Sequence, residues 1–189
     1  MLKVLYCIFS DLCYKSSEAV TYFFFLSSGS KDCACVSKPP SYIFQDSSLT
    51  PGFNMSTHFE VKNVALQNGD RLKVKGVILP DAQRFQIDLG RDKDDLALHF
   101  NPRFHDDIDG AVLVCNSKTA GCWGDEKREV YNPLERGTDV KIVLKLEGDM
   151  FEVELPDGYE VNFPNRVGMD VINFVRVTGD FKLTSFKIC

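Results

Sequence analysis

No stretch of the 189-residue chain approaches the ~20 consecutive apolar residues that a bilayer-crossing helix needs, which argues against a helical membrane span. Basic residues are in deficit. Lys and Arg number 22 against 27 Asp and Glu, giving a net charge of −5 and a pI near 5.2. No run of Lys and Arg interrupts that balance, so nucleic acid is not indicated as a partner and a polybasic membrane anchor is not indicated either. Tryptophan occurs once, in a polar stretch. Cysteine is present but poorly arranged for a disulfide framework: the seven residues are odd in number, with Cys7, Cys13, Cys33 and Cys35 early and Cys115, Cys122 and Cys189 late. They read as free thiols of a reducing compartment. Cys33-Ala-Cys35 has no second pair with His at zinc spacing, so no metal site is expected.

What is present falls into two parts. Residues 1–54 hold aromatic clusters such as Tyr22-Phe23-Phe24-Phe25, many Ser, and the breakers Pro39-Pro40 and Thr50-Pro51-Gly52, without a sustained period of 2 or 3.6. Of their short apolar runs, either of which could be a poor signal-peptide core, Val4 to Phe9 has one Lys before it and Val20 to Leu26 lies too deep without a basic lead-in, so no cleaved signal is expected. This part reads as an N-terminal extension, either a disordered arm or the product of a misassigned gene start, since Met55-Ser56-Thr57 has the look of a natural beginning. Asn54-Met55-Ser56 is a glycosylation sequon only for a chain that enters the secretory route. Residues 55–189 read as one folded domain.

In that domain the hydrophobic period is two. Phe59, Val61 and Val64 mark a first strand, and Leu72 to Leu79 a second. Phe85-x-Ile87-x-Leu89, Leu96-x-Leu98-x-Phe100 and Val140-x-Ile142-x-Leu144-x-Leu146 alternate strictly. Gly148-Asp149 suits a hairpin turn, answered by Phe151-x-Val153-x-Leu155; Tyr159-x-Val161-x-Phe163, Val171 to Val177 and Phe181 to Ile188 follow. About ten short strands with regular turn signals predict an all-β sandwich or barrel. Alternation leaves one face of each sheet wet, and function should lie where that face carries unusual side chains.

Residues 96–103 provide one such place. His99, Asn101 and Arg103 share the face opposite Leu96, Leu98 and Phe100. Val112, Val114 and Asn116 share a parity on the next strand, and Glu126 and Arg128 follow Trp123 in a stretch with two Gly. Brought together in one sheet, these groups suit a sugar. Braced amides, imidazole and ion-paired Arg and Glu can satisfy ring hydroxyls, and a Trp face can cover the C–H side of a pyranose.

The strings HFNPR (99–103), VCN (114–116), WGDEKR (123–128) and LPDGYEVNFPNR (155–166) resemble the galectin signature in order and spacing, over roughly residues 57–189. The resemblance implies a jelly-roll sandwich that binds β-galactosides such as lactose or N-acetyllactosamine, with no metal or other cofactor and no catalysis. It implies that His99, Asn101 and Arg103 hold the galactose 4-hydroxyl, that Asn116 and Glu126 hold the 6-hydroxyl, and that Trp123 stacks on the ring. Glu126 and Arg128, with Arg103, would hold the 3-hydroxyl of the following sugar, and Val114 would wall the site. It further implies a homodimer through the terminal strands, 58–64 and 181–188, that crosslinks glycans on glycoproteins or glycolipids. Location in the cytosol and outside the cell, by export without a signal peptide, also follows from the family.

Each residue alone has a blander reading: His99 as a satisfied histidine, Trp123 as core, Glu126 and Arg128 as a solvated pair of little worth. The acidic runs Asp92 to Asp95 and Asp106 to Asp109 read as solvated loops, without the rest of a calcium loop. A glycosidase would need two carboxylates ~5 to 9.5 Å apart. Asp125 and Glu126 are adjacent and point to opposite faces, and neighbouring Arg would keep Glu126 ionised, wrong for a general acid. The other alternative is a sandwich of the same fold that binds proteins and not sugars.

Overall fold

The computed structural model describes residues 56–189 in full and, before them, the backbones of three strands: β1 (Lys3–Phe9), β2 (Val20–Leu26) and β3 (Ala34–Val36). Twelve strands follow: β4 (Thr57–Gln67), β5 (Arg71–Ile78), β6 (Phe85–Gly90), β7 (Leu96–Asp106), β8 (Gly110–Thr119), β9 (Cys122–Trp123), β10 (Lys127–Glu129), β11 (Asp139–Glu147), β12 (Met150–Glu154), β13 (Glu160–Pro164), β14 (Val171–Gly179) and β15 (Phe181–Ile188). No helix occurs among the described residues.

The strands form two antiparallel sheets. One runs β10-β8-β7-β6-β14-β4-β1-β2, with β9 paired to β8; the other runs β13-β12-β11-β5-β15-β3. The inner faces meet in a single apolar core that includes Phe85, Phe100, Phe151, Phe163 and Phe181, all fully buried. Phe85 of the first sheet stacks on Phe181 of the second at 4.8 Å, and Phe59 meets Phe186 at 5.0 Å. Each large ring buried across the gap contributes on the order of 2–3 kcal/mol of apolar transfer.

Local chemistry explains the register. Glu147 pairs with Met150 across the two-residue loop Gly148-Asp149, with Gly148 at φ 57°, as a tight hairpin requires. In β4 the buried positions step from Val61 to Val64, out of parity. Asn63 sits there at φ 60°, a side chain that tolerates the left-handed region, and the pairing with β14 shifts: Ile172 faces Leu66 and Phe174 faces Lys62, so β4 bulges between them.

Cys115 and Cys122 are free thiols, in line with the sequence reading, but Cys189 is disulfide-bonded. The expectation of free thiols throughout is therefore corrected at the C-terminus. Burial pushes the Cys115 thiol up to about 12, which removes it from thiol chemistry.

Candidate functional site

The wet face of the first sheet is shaped by the β7–β8 hairpin. His99 lies across from Asn116, Asn101 across from Val114, and Arg103 across from Val112. On the outer side β10 sets Arg128 opposite Val114, and β9 sets Trp123 opposite Lys118. Trp123 can turn back over β8 because Ala120 and Gly121, the two residues between Thr119 and Cys122, both take positive φ, 49° and 81°. Such a turn matches the twist of the strands it joins.

His99, Asn101, Arg103, Asn116, Trp123 and Glu126 line one groove of about 460 Å³, within the range of small-molecule sites. Val114 and Arg128, the other two residues singled out in the sequence, do not line it. Val114 is fully buried between Asn101 and Arg128, and Arg128 stands behind Glu126. Arg84, Gln86 and Gly124 line the groove without having been anticipated.

Arg103, Glu126, Arg128 and Asp106 form a closed ring of ion pairs. Arg103 donates from Nη2 to Glu126 Oε1 at 2.8 Å and from Nη1 to Asp106 Oδ2 at 3.0 Å. Arg128 donates from Nη1 to Glu126 Oε2 at 2.6 Å and from Nη2 to Asp106 Oδ1 at 2.6 Å. Arg128 Nε reaches Asp109 Oδ2 at 2.7 Å. The members are partly exposed, so the ring adds little stability; its effect is to fix four long side chains in one geometry. Burial of Glu126 opposes its charge, but the bonds from Arg128 and Arg103 outweigh this and hold its carboxyl below the usual range. Asp106 is lowered further, first by the Ile108 backbone N–H and then by Arg103. The reading of Asp106 to Asp109 as a merely solvated loop is thus overturned for Asp106 and Asp109, whose carboxylates brace the site. The signal was present in the spacing: Asp106 is three residues past Arg103 on the same hairpin.

The neutral groups are just as constrained. Asn101 donates from Nδ2 to the Phe85 carbonyl at 2.6 Å and accepts from Arg103 Nε at 3.0 Å, which sets the orientation of its amide. Asn116 donates to the Gly124 carbonyl at 2.9 Å and accepts from the Ser117 N–H at 2.8 Å. His99 Nδ1 lies 2.6 Å from Oδ1 of Asp88, a fully buried carboxylate. Asp88 Oδ2 takes bonds from Arg176 Nε and Nη2, both at 2.8 Å, and from Gln86 Nε2 at 3.0 Å. Burial pushes the Asp88 carboxyl up, yet His99 and Arg176 prevail and hold it below the ordinary value. An ionised carboxylate at Nδ1 places the ring proton there and leaves Nε2 as the acceptor in the neutral imidazole.

Trp123 is half exposed. Its ring meets the His99 ring at 4.7 Å and the Lys118 ammonium at 5.4 Å, contacts that hold it against β7 and β8. The loop that follows is pinned from the second sheet. Arg166, beyond β13, donates from Nη1 to the Asp125 carbonyl at 2.6 Å while its guanidinium lies 4.6 Å over Phe163. Lys127 Nζ likewise reaches the Asn162 carbonyl at 2.6 Å. The string at 155–166 thereby acquires a purpose that its position in the sequence did not disclose.

Among the described residues no three His, Cys, Asp or Glu side chains are grouped to hold a metal ion. The arrangement is one of donors and acceptors fixed in advance around a half-exposed aromatic face, on the wet side of a two-sheet sandwich, and it defines a lectin-type carbohydrate-binding domain. The chain belongs to the galactoside-binding lectin family, whose family model matches residues 57–188. It is 42% identical to galectin-1 of Capra hircus over 129 residues, covering 68% of this chain and 96% of that protein. Among solved structures it is similar to CG-16, a homodimeric agglutinin from chicken liver, at 40% identity and a TM-score of 0.68, covering 70% of this chain and all (100%) of that one. It is also similar to toad ovary galectin in complex with thio-digalactose, at 31% identity and a TM-score of 0.67, covering 70% of this chain and 98% of that one.

Proposed function

We propose that the protein binds β-galactosides of the lactose and N-acetyllactosamine type, acts by binding and not by catalysis, and needs no metal to do so. His99 Nε2, Asn101 and Arg103 take the galactose 4-hydroxyl. Asn116 and Glu126 take the 6-hydroxyl, and Trp123 covers the apolar face of the ring. Glu126 and Arg128, with Arg103, take the 3-hydroxyl of the next sugar, and Val114 forms the packed floor that keeps Asn101 and Arg128 apart. The observation that carries the reading is that six of these side chains meet in one groove with the polar ones already oriented. Pre-oriented groups lose little freedom on binding, so the bonds they make are reflected in affinity.

Catalysis is disfavoured by the same geometry. Glu126 is the one carboxylate lining the groove, and two arginines keep it ionised, so it cannot protonate a leaving group. Like the homodimeric CG-16, the domain of residues 55–189 is proposed to pair through β4 and β15, which become sheet edges once β1 and β3 are absent, giving two sites per particle and the avidity to crosslink glycans. Calorimetric titration of lactose, with sucrose as control and with EDTA throughout, tests the reading. Saturable binding of lactose alone supports it. A folded protein that ignores lactose makes the sandwich a protein-binding module.

A further inference from the structure

The outer face of the second sheet takes no part in the galactoside reading. On β5 the core takes Leu72, Val74 and Ile78, which turns Arg71, Lys73 and Lys75 outward. On β11 it takes Val140, Ile142, Leu144 and Leu146, which leaves Lys141 and Lys145 outside. On β15 Phe181 and Phe186 point in, and Lys182 and Lys187 point out. The register then gathers these cations. Lys75 lies opposite Lys141, Arg71 opposite Lys145, and Lys73 opposite Lys187. No two of them are adjacent in the sequence, so the chain shows no basic run although its sheet assembles one.

Like charges directly opposite one another on neighbouring strands destabilise a sheet, and here three such pairs stand side by side. They are barely compensated. Lys145 reaches the carboxylates of Glu147 and, at 3.7 Å, Glu152. No carboxylate among the described residues lies within ion-pair distance of Arg71, Lys73, Lys75, Lys141, Lys182 or Lys187. In a chain of net charge −5, free positive charge concentrated in this way makes a local field that attracts an anion.

The shape of the patch selects the kind of anion. It occupies three neighbouring strands, β15, β5 and β11, and so is about 10 Å wide and about 20 Å long. Beyond β11 the same face turns acidic, with Glu152 opposite Lys145, Glu154 opposite Val143, and Glu160 opposite Glu154. Asp139 and Glu147 stand at the two ends of β11. An anionic plane, such as a layer of lipid headgroups, would press on these carboxylates as well as on the lysines. A linear polyanion can run along the stripe and avoid them. The outward residues of β5, β11 and β15 include no aromatic ring on which a base could stack, and a flat sheet face enters no groove of a duplex. We propose that the outer face of β15, β5 and β11 binds a linear sulfated polysaccharide, at a site separate from the galactoside groove, which lies on the outer face of the other sheet.

The full chain is titrated calorimetrically with a size-fractionated heparin oligosaccharide and with its desulfated counterpart, each with and without saturating lactose. The sulfated chain binds and the desulfated one does not, lactose leaves the affinity unchanged, and the affinity falls roughly tenfold from 50 to 200 mM salt as counterions are displaced. Lys75→Glu lowers the affinity about tenfold yet raises the thermal midpoint, because the new carboxylate faces Lys141 and relieves a like-charge pair. A merely structural lysine would not move the two readouts in opposite directions. Lys62→Glu makes the same change in net charge on β4 of the other sheet and leaves the affinity within about twofold. No binding of the sulfated chain, competition by lactose, or an equal loss in Lys62→Glu overturns the site. Tighter binding of duplex DNA or of phosphatidylserine vesicles at the same salt overturns the choice of occupant and assigns the stripe to that surface instead.

Discussion

Asp88 is the residue on which the site's pre-orientation most depends, and it touches no solvent. It fixes the proton on His99 Nδ1 and takes two bonds from Arg176. Asp88→Asn removes the only negative charge holding these groups together, and the variant is expected to be destabilised by about 3 kcal/mol in urea unfolding, with lactose affinity down about tenfold. The pH dependence has a definite sign. The Asp88 carboxyl is lower in the folded protein than in the unfolded chain, so the unfolded chain takes up its proton first. Its stabilisation is complete above about pH 4 and fades as pH falls through the lowered native value. The stability gap between wild type and Asp88→Asn, followed by urea unfolding from pH 6 down to 3, should therefore narrow below pH 4; a constant gap would contradict this. Nothing in the sequence announced Asp88 or Arg176. They are 88 positions apart, and only the pairing of β6 with β7 and β14 unites them.

Strands were the easiest elements to read, because each half-buried strand writes its own period. The bulge at Asn63 left its mark as a broken parity between Val61 and Val64, which the pairing with β14 explains. The site strings were legible for the same reason: His99, Asn101 and Arg103 lie on one strand face, so a local pattern carries them. Connections between elements were not legible. Asp106 and Asp109 looked like any acidic loop, and Arg166 belongs to a loop of the other sheet that reaches across to hold the Trp123 loop. Arg166→Ala touches no sugar in this account, yet it releases the Asp125 carbonyl. A drop in lactose affinity of about fivefold, with little change in thermal midpoint, is the expected calorimetric result, since positioning contacts act through geometry.

For the molecule as a whole, the telling feature is what lies on the sheet edges. Strand β1 pairs with β4 through Tyr6 to Phe9, and β3 pairs with β15 through Ala34 to Val36. Those are the edges proposed for pairing between copies, so the full chain is expected to be monomeric and Met55–Cys189 dimeric. The shorter chain spans the segment that matches 96% of the goat relative, a folded unit in its own right. Light scattering on both forms reads this directly, and a dimeric full chain would show the edges to be free.

Galactose stacking on Trp123 carries its own reporter, since Trp123 is the single tryptophan. Titration of intrinsic fluorescence with lactose should give a saturable blue shift as the half-exposed indole is covered, with no response to sucrose. An emission spectrum that lactose leaves unchanged, in a folded protein, would contradict the account.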